Sequence, residues 1–216
     1  HLVWVHLRFG LLTEFQYRAN FFVQLFQSLL KLGTGLAALL LVFQHTTTLG
    51  GWGENDLLAI MGVHIAVGGI IRMLIQPNME RLMTDIREGT FDFVLTKPAD
   101  AQVMASIRDF RLWQGVDILT GIGVMVTALV RRQSAVGLVE TLLFAVALFL
   151  GAVMIYSVWL MLTTLAFWII SADTITELFD SMYQAGRWPT GVYPTWLRSG
   201  LTFLVPIAFA VTVPAE

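Results

Sequence analysis

The sequence has no cysteine, little charge and few prolines. Only 13% of its 216 residues are charged, 56% are hydrophobic, and the mean hydropathy is +0.73. Because soluble domains have about 25% charged residues, this composition predicts an integral membrane protein. The absence of cysteine excludes disulfides and thiolate metal sites. The net charge of −2 does not indicate nucleic acid as a partner.

Motifs for catalysis and for nucleotide binding are also missing. The four histidines lack a metal-ligand spacing such as H-x-x-x-H, and no G-x-x-x-x-G-K-[ST] motif provides an ATP site. A membrane-embedded enzyme would need clustered acid–base residues, whereas His64, Asp117 and Glu140 are scattered. A secondary transporter or channel is disfavoured because no proline lies between Pro98 and Pro189 and no internal repeat is present. A non-transporting membrane scaffold remains an alternative.

Long apolar runs predict a single transmembrane domain over residues 1–216. A spanning helix needs about 20 apolar residues. The run 136–170 is too long for one ordinary span, so we expect a helical hairpin that bends near Gly151; one long tilted helix is the competing interpretation. Because the chain begins with His1 and stops just after an apolar run, we expect both termini to be incomplete. The predicted spans are 20–43, 56–75, 112–130, 136–152, 153–170 and 199–216.

The distribution of lysine and arginine predicts the orientation. The connection 43–56 has none, whereas 72–111 has six, so the second connection is expected in the cytoplasm. Arg131 and Arg132 then fall on the outer side, where Glu140 is expected to neutralise one of them. Before the first span, residues 6–17 predict an interfacial helix. Residues 171–198 are expected to form an outer re-entrant or interfacial region with a short amphipathic helix over 173–183.

Residues 76–111, here called the polar loop, combine turn residues with helical periodicity. Pro77 is expected to end the preceding helix and Asn78 to cap the next one. Gly89 stands where a left-handed C-cap is usual. Residues 91–95 are expected to be extended, and Asp100 to cap a helix that runs into the third span. The short helix is expected to have an apolar stripe at Met79, Leu82, Met83 and Ile86. This stripe either docks onto a partner in water or lies on the surface of the bilayer.

Polar residues also occur inside the predicted spans. Lys31 near mid-membrane costs about 2.5–3.5 kcal/mol, so it should face protein or water, with Asp117 as a candidate partner. The polar face of the first span either lines a translocation path or joins helices by hydrogen bonds. In the second span, a packed or hydrogen-bonded His64 is favoured over a proton site. Small residues of that span predict close approach of another helix, at Gly62, Ala66 and Gly69. The polar face comprises Asn20, Gln24, Gln27, Lys31 and Thr34.

Residues 87–98 read R-E-G-T-F-D-F-V-L-T-K-P. This segment resembles the G-T-x-D-x-x-L-x-K-P loop signature of a branch of the ABC-2-type export permeases. Weaker matching pieces lie at residues 12–20, 50–52, 166–168, 206 and 213–215. The resemblance covers nearly the whole chain, and the loop is its most specific part.

The resemblance implies an all-α membrane protein, a six-helix ABC-2-type bundle like that of type V exporters. It also implies an N-terminal interfacial helix and a cytoplasmic coupling helix. Such a chain is the permease subunit of an ATP-driven export transporter in the bacterial cell membrane, among membrane lipids. It binds no cofactor or metal itself. ATP and Mg²⁺ are bound by a separate dimer of ABC ATPase subunits, and a second permease, identical or different, completes the path.

The resemblance also assigns roles to residues, although it does not indicate the cargo. Contact with the ATPase is expected at Met79, Leu82, Met83, Ile86, Arg87, Gly89, Asp92, Lys97 and Pro98. The candidate path residues follow from the polar face of the first span and the candidate partner of Lys31, not from the resemblance; they are Asn20, Gln24, Gln27, Lys31, Thr34 and Asp117.

Overall fold

The computed structural model describes residues 18–98, 100–132, 137–164, 168, 172–204 and 206–215. Within these ranges the regular elements are helical, apart from an isolated bridge between Leu49 and Trp52. The predicted interfacial helix over 6–17 lies outside the described residues. The α-helices are α1 (Arg18–Phe43), α2 (Glu54–Ile70), α3 (Gln76–Arg87), α4 (Asp92–Leu95), α5 (Ala101–Ser106), α6 (Gly115–Arg132), α7 (Leu138–Thr164), α8 (Ala172–Ala185), α9 (Thr195–Ser199) and α10 (Val213–Ala215). Shorter π and 3₁₀ segments are Ile71–Ile75, Leu112–Gln114, Thr190–Val192, Gly200–Leu204 and Ala208–Thr212.

Four helical stretches in the described part of the chain are long and apolar enough to cross a membrane. The first three overlap the predicted spans 20–43, 56–75 and 112–130, although the second is much longer than predicted. The stretches are Phe21–Phe43, Glu54–Arg87, Leu112–Arg132 and Leu138–Thr164.

The second stretch is continuous through Pro77, so the expectation that Pro77 ends it is wrong. The helix has 34 residues, or about 50 Å at 1.5 Å per residue, and exceeds the roughly 30 Å hydrocarbon layer. Proline has no N–H, so Pro77 leaves the Met73 carbonyl without its helical donor. The Arg111 N–H donates to that carbonyl instead, at 3.1 Å. The wider π turn Ile71–Ile75 ends two residues before Pro77.

Within the run 136–170, the described residues 138–164 do not form a hairpin. α7 is one helix of 27 residues that continues through Gly151. A Cβ atom at Gly151 would lie 2.6 Å from the Ala210 Cα atom, so this glycine lets the last part of the chain approach α7 closely. The predicted bend is therefore wrong, because the glycine serves a packing contact. Over residues 138–164 the structure agrees with the competing interpretation, a single long helix.

The amphipathic helix predicted over 173–183 is present as α8, and it packs against other helices of the described chain. Phe179 and Tyr183 are 1% and 3% exposed, and the Tyr183 hydroxyl donates to the His64 carbonyl of α2 at 2.7 Å. α8 also contacts α3 and α7. It therefore begins beside the polar loop and packs along α2 as part of the helix bundle.

The charges where α6 ends are neutralised differently from the prediction. Arg132 pairs with Asp56 at the start of α2, with the Arg132 Nη1 and Asp56 Oδ1 atoms 3.1 Å apart. The Glu140 carboxylate instead accepts a hydrogen bond from the Gly137 N–H. The expected neutralisation by Glu140 is therefore wrong, and the acidic first turn of α2 takes its place.

Glycines allow α2 and α6 to pack almost backbone to backbone. A Cβ atom at Gly121 would lie 2.5 Å from the Ala66 nitrogen and 2.5 Å from the Gly62 oxygen. A Cβ atom at Gly69 would lie 2.8 Å from the Ile118 nitrogen. This confirms the close approach predicted from the small residues of the second span.

The main core follows the long α2–α3 helix. Side chains from α7, α8 and the last part of the chain pack against it, whereas α1 and α7 expose apolar side chains to the surroundings, as expected for lipid-facing helices. The core residues from α2, the π turn and α3 are Leu57, Ile60, Val63, Val67, Ile71, Ile75, Met79 and Met83.

We expect Gly121→Ala to destabilise the protein strongly, while Gly123→Ala leaves stability unchanged or slightly higher. The added methyl at Gly121 meets backbone atoms that cannot rotate away, whereas a Cβ at Gly123 meets nothing within 4 Å. Overpacking costs typically about 1–3 kcal/mol. Thermal unfolding of both variants in detergent measures the difference. Equal melting temperatures would contradict the close α2–α6 contact.

Candidate functional site

The part of the polar loop that follows α3 is attached to the long helix mainly by Asn78. This side chain is 1% exposed and lies inside the helix, so its predicted role as an N-cap is wrong. Its Nδ2 donates to the carbonyls of Leu74 and Asp109 at 2.6 and 2.8 Å. Its Oδ1 accepts from the N–H groups of Arg108 and Asp109 at 2.8 and 2.9 Å. Both amide donors and both oxygen lone pairs are therefore used, and the far end of the loop is fixed to the helix.

Asp85 holds the near end of the loop. Its carboxylate receives Arg108 Nη1 at 2.9 Å and Arg81 Nε at 3.4 Å. Its backbone carbonyl accepts the Thr90 N–H at 2.9 Å, and the Ile86 carbonyl accepts the Gly89 N–H at 3.2 Å. Together with the φ of +70° at Gly89, these bonds form a Schellman motif. The predicted left-handed C-cap at Gly89 is confirmed.

Beyond Gly89 the loop contains two short helices rather than an extended strand. Residues 92–95 form α4, so the extended conformation expected for 91–95 is wrong. Asp100 caps α5 as predicted, accepting the Val103 N–H at 3.0 Å. However, α5 ends at Ser106 and does not run into the third span, because Asn78 draws residues 108 and 109 onto the long helix. The result is a compact, hydrogen-bonded loop.

The residues predicted to contact an ATPase are divided between the core and the surface. Met79, Leu82 and Met83 are 0%, 8% and 1% exposed, and Ile86 is half-buried. Three quarters of the predicted stripe therefore packs within this chain, which corrects the expectation that it faces a partner. The periodicity predicts the helix and its apolar side, but it does not specify which neighbour covers that side. The exposed predicted residues are Arg87, Gly89, Asp92, Lys97 and Pro98.

Two large apolar side chains of α4 project from the loop beside these charged residues. Phe93 is 71% exposed and Leu95 is 58% exposed, whereas Val94 between them is 6% exposed. The sequence analysis did not single out Phe93 or Leu95, although their position inside the G-T-x-D-x-x-L-x-K-P signature was a usable signal. We call Arg87, Asp92, Phe93, Leu95, Lys97 and Pro98 the exposed loop surface.

A second polar cluster lies among the spanning helices. Asp117 of α6 is fully buried and pairs with Arg72 of the π turn, with Oδ2 and Nη2 2.6 Å apart. Lys31 of α1 approaches the same oxygen at 3.6 Å, so the predicted Lys31–Asp117 proximity is present. The sequence analysis did not name Arg72 as a partner of Asp117. Two intramembrane charges of opposite sign were the available signal.

The other predicted path residues have different surroundings. Gln24 is 6% exposed and exchanges hydrogen bonds with Gln114, at 2.9 and 3.2 Å. At Gln24 the polar face of the first span therefore joins two parts of the bundle by hydrogen bonds, which is one of the two roles predicted for that face. Gln27 and Thr34 are exposed, and the Thr34 hydroxyl donates to the Lys31 carbonyl at 3.0 Å. The side chain of Asn20 lies outside the described part of the structure.

Within the described ranges, no group of three or more His, Asp or Glu side chains could hold a metal ion. The fold and these polar clusters define a multi-pass membrane protein with charges among its spanning helices and a folded polar loop at one end.

The comparisons with known proteins give the family. A family model described as ABC-2 family transporter protein matches residues 29–216. The chain therefore belongs to the ABC-2 transporter family, whose members are transmembrane transporter subunits. No curated protein and no solved structure matches it.

We expect Asn78→Ala to loosen the polar loop, while Thr84→Ala on the same helix has little effect. The alanine leaves the amides of residues 108 and 109 without an acceptor, at about 1–3 kcal/mol for each unsatisfied buried group. Thr84 is exposed and bonds only within its own helix. Hydrogen exchange of the 100–111 amides measures the effect, and unchanged exchange in Asn78→Ala would refute the anchoring role.

We expect the Arg72–Asp117 pair to behave as a unit. Arg72→Met and Asp117→Leu should each destabilise by up to about 3–5 kcal/mol, because the first leaves the buried Asp117 with only the more distant Lys31 and the second leaves Arg72 without its carboxylate. The double variant should lose much less than the sum. Lys31→Gln, whose side chain is 51% exposed, is the matched control with a small effect. Thermal unfolding of the four variants completes the cycle, and additive losses would show that the two charges are not coupled.

Proposed function

We propose that this chain is the permease subunit of an ATP-driven export transporter, and that its polar loop couples it to a separate ATPase. Family membership and the loop signature support the proposal. On this proposal the loop lies on the cytoplasmic side of the bacterial cell membrane. ATP and Mg²⁺ are bound by a dimer of ATPase subunits, and a second permease subunit, identical or different, completes the path in a six-helix arrangement.

The mechanical connection between loop and membrane is the observation that carries the proposal. α2, the π turn and α3 form one helix. The part of the polar loop that follows α3 is attached to this helix at Asn78 and Asp85. A force applied to the loop therefore moves the spanning part of the helix, because a continuous helix transmits displacement along its axis. The Arg72–Asp117 pair and the glycine contacts would pass that movement to α6.

The exposed loop surface has the composition of a small docking site. Phe93 and Leu95 supply apolar area, and charges of both signs surround them at Arg87, Asp92 and Lys97. Apolar anchors within a polar rim are typical of protein interfaces. The buried stripe of α3 has the complementary role of holding the loop in place.

We expect Phe93→Ala and Val94→Ala to have opposite signatures in a complex with the cognate ATPase. Phe93 is exposed, so its loss should leave the melting temperature of the permease unchanged but weaken assembly and ATP hydrolysis by tenfold or more, as for an interface anchor. Val94 is buried, so its truncation should lower loop stability first.

Charge reversal tests the same surface independently. Arg87→Glu and Asp92→Lys should weaken assembly with the ATPase or uncouple hydrolysis from transport, since both side chains are exposed. Co-purification and transport-coupled ATPase activity in proteoliposomes are the measurements. Full assembly and coupling in Phe93→Ala and in both charge reversals would show that the loop is not part of the ATPase interface.

A further inference from the structure

A cavity of about 110 Å³ lies beside the intramembrane ion pair, between α1, α2, α6 and the end of α8. Three basic side chains from three separate parts of the chain line it: Lys31, Arg72 and Arg187. Lys31 stands at its exposed edge, with half of its side chain accessible. The cavity is therefore both positively charged and reachable.

Positive charge in the cavity exceeds the negative charge available to balance it. Asp117 pairs with both Arg72 and Lys31, but no carboxylate among the described residues lies within ion-pair distance of Arg187. The further carboxylate that interacts with this cluster, Asp180, is exposed and acts on Arg72 and Lys31 through space without a direct contact. Among the described residues, three cations therefore face two carboxylates at this cavity.

Polar atoms in the wall of the cavity lack partners. Arg72 Nε, His64 Nδ1 and Asp117 Oδ1 are buried, line the cavity and have no hydrogen-bond partner within the described part of the chain. The His64 residue is 8% exposed, and its ring stacks on Tyr183 at a centroid distance of 4.5 Å. Buried polar atoms are nearly always hydrogen-bonded, so unpaired ones beside a cavity point to a bound group.

Arg187 is positioned over the cavity by the absence of a side chain on α1. A Cβ atom at Gly35 would lie 2.6 Å from Arg187 Nη2 and 2.7 Å from the Met61 sulfur. The guanidinium therefore occupies space that any other residue at position 35 would fill. Gly33, two residues earlier on the same helix, has nothing within 4 Å of its Cβ position.

We propose that this cavity binds a phosphate group, either as a free anion or on a lipid headgroup. A phosphate has several acceptor oxygens for converging Arg and Lys donors, and its one to two negative charges offset the cationic excess. A cation would be repelled, and a neutral group would leave Arg187 without an ionic partner. Charged residues among membrane helices commonly mark binding sites or pathways.

The binding of a phosphate group by this cavity does not depend on the proposed function. Only an assignment of that phosphate to a transported molecule would rest on the proposed function. The test uses the purified chain without an ATPase, in micelles of a maltoside detergent that carries no phosphate, so it can fail while ATPase coupling succeeds, and the reverse. Inorganic phosphate is one probe. The other is a short-chain phosphatidic acid, compared with phosphatidylcholine of the same chain length. Calorimetry and thermal shift measure binding.

We expect saturable binding of at least one probe, weakened about tenfold or more in Arg187→Gln and Lys31→Gln. Arg198→Gln, an exposed arginine outside the cavity, is the charge control. Gly35→Ala should also weaken binding by displacing the guanidinium, whereas Gly33→Ala should not. Binding of both probes with mutual competition identifies a free-anion site; binding of phosphatidic acid alone identifies a headgroup site.

Three outcomes would overturn the proposal. The first is no saturable binding of either probe by the native chain. The second is binding that persists unchanged in both Arg187→Gln and Lys31→Gln while melting temperatures show that they are folded. The third is an equal loss in Gly35→Ala and Gly33→Ala, or in Arg198→Gln, which would assign the effect to general surface charge or helix stability. If one cationic variant fails to fold, the other and Gly35→Ala still decide the question.

Discussion

The ion pair between Arg72 and Asp117 is the interaction on which the arrangement of the bundle depends. A buried charge in a bilayer requires an opposite charge at short range, and each partner here lies on a different element. The pair can form because the glycines at positions 62, 69 and 121 bring α2 and α6 almost to backbone contact. Electrostatics and close packing therefore specify the same helix pair, and α1 joins it through Lys31 and the Gln24–Gln114 bonds.

The same helix connects this cluster to the polar loop. Arg72 lies in the π turn, Pro77 follows it, and the carbonyl that Pro77 leaves free is taken by Arg111 at the end of the loop. A residue that usually terminates a helix thus creates an attachment point for the returning chain. Asn78 adds four hydrogen bonds at the next position. The loop is consequently an extension of the membrane helix, with its apolar stripe facing the core and its G-T-x-D signature facing outward.

Predictions from the sequence are confirmed where a single local interaction decides the conformation. Gly89 has the left-handed φ expected of its C-cap, Asp100 caps its helix, and the small residues of the second span meet another helix. The failures concern residues with two physical uses. Gly151 was expected to mark a bend but admits Ala210, and Pro77 was expected to end a helix whose freed carbonyl finds another donor. Asn78 was expected at a cap but is buried, because a distant segment supplies its partners.

By itself, the sequence determined the membrane class, three of the spanning helices, the capped loop and the family resemblance, since composition, periodicity and short motifs are properties of contiguous residues. Tertiary structure decided which face of α3 is covered, that α7 is one continuous helix, and that α8 packs inside the bundle. It also brought Lys31, Arg72, Arg187 and Asp117 together around one cavity. These outcomes depend on contacts between residues far apart in the chain. The free energy of burying an apolar or charged side chain is set by the neighbour it meets, which no local pattern specifies.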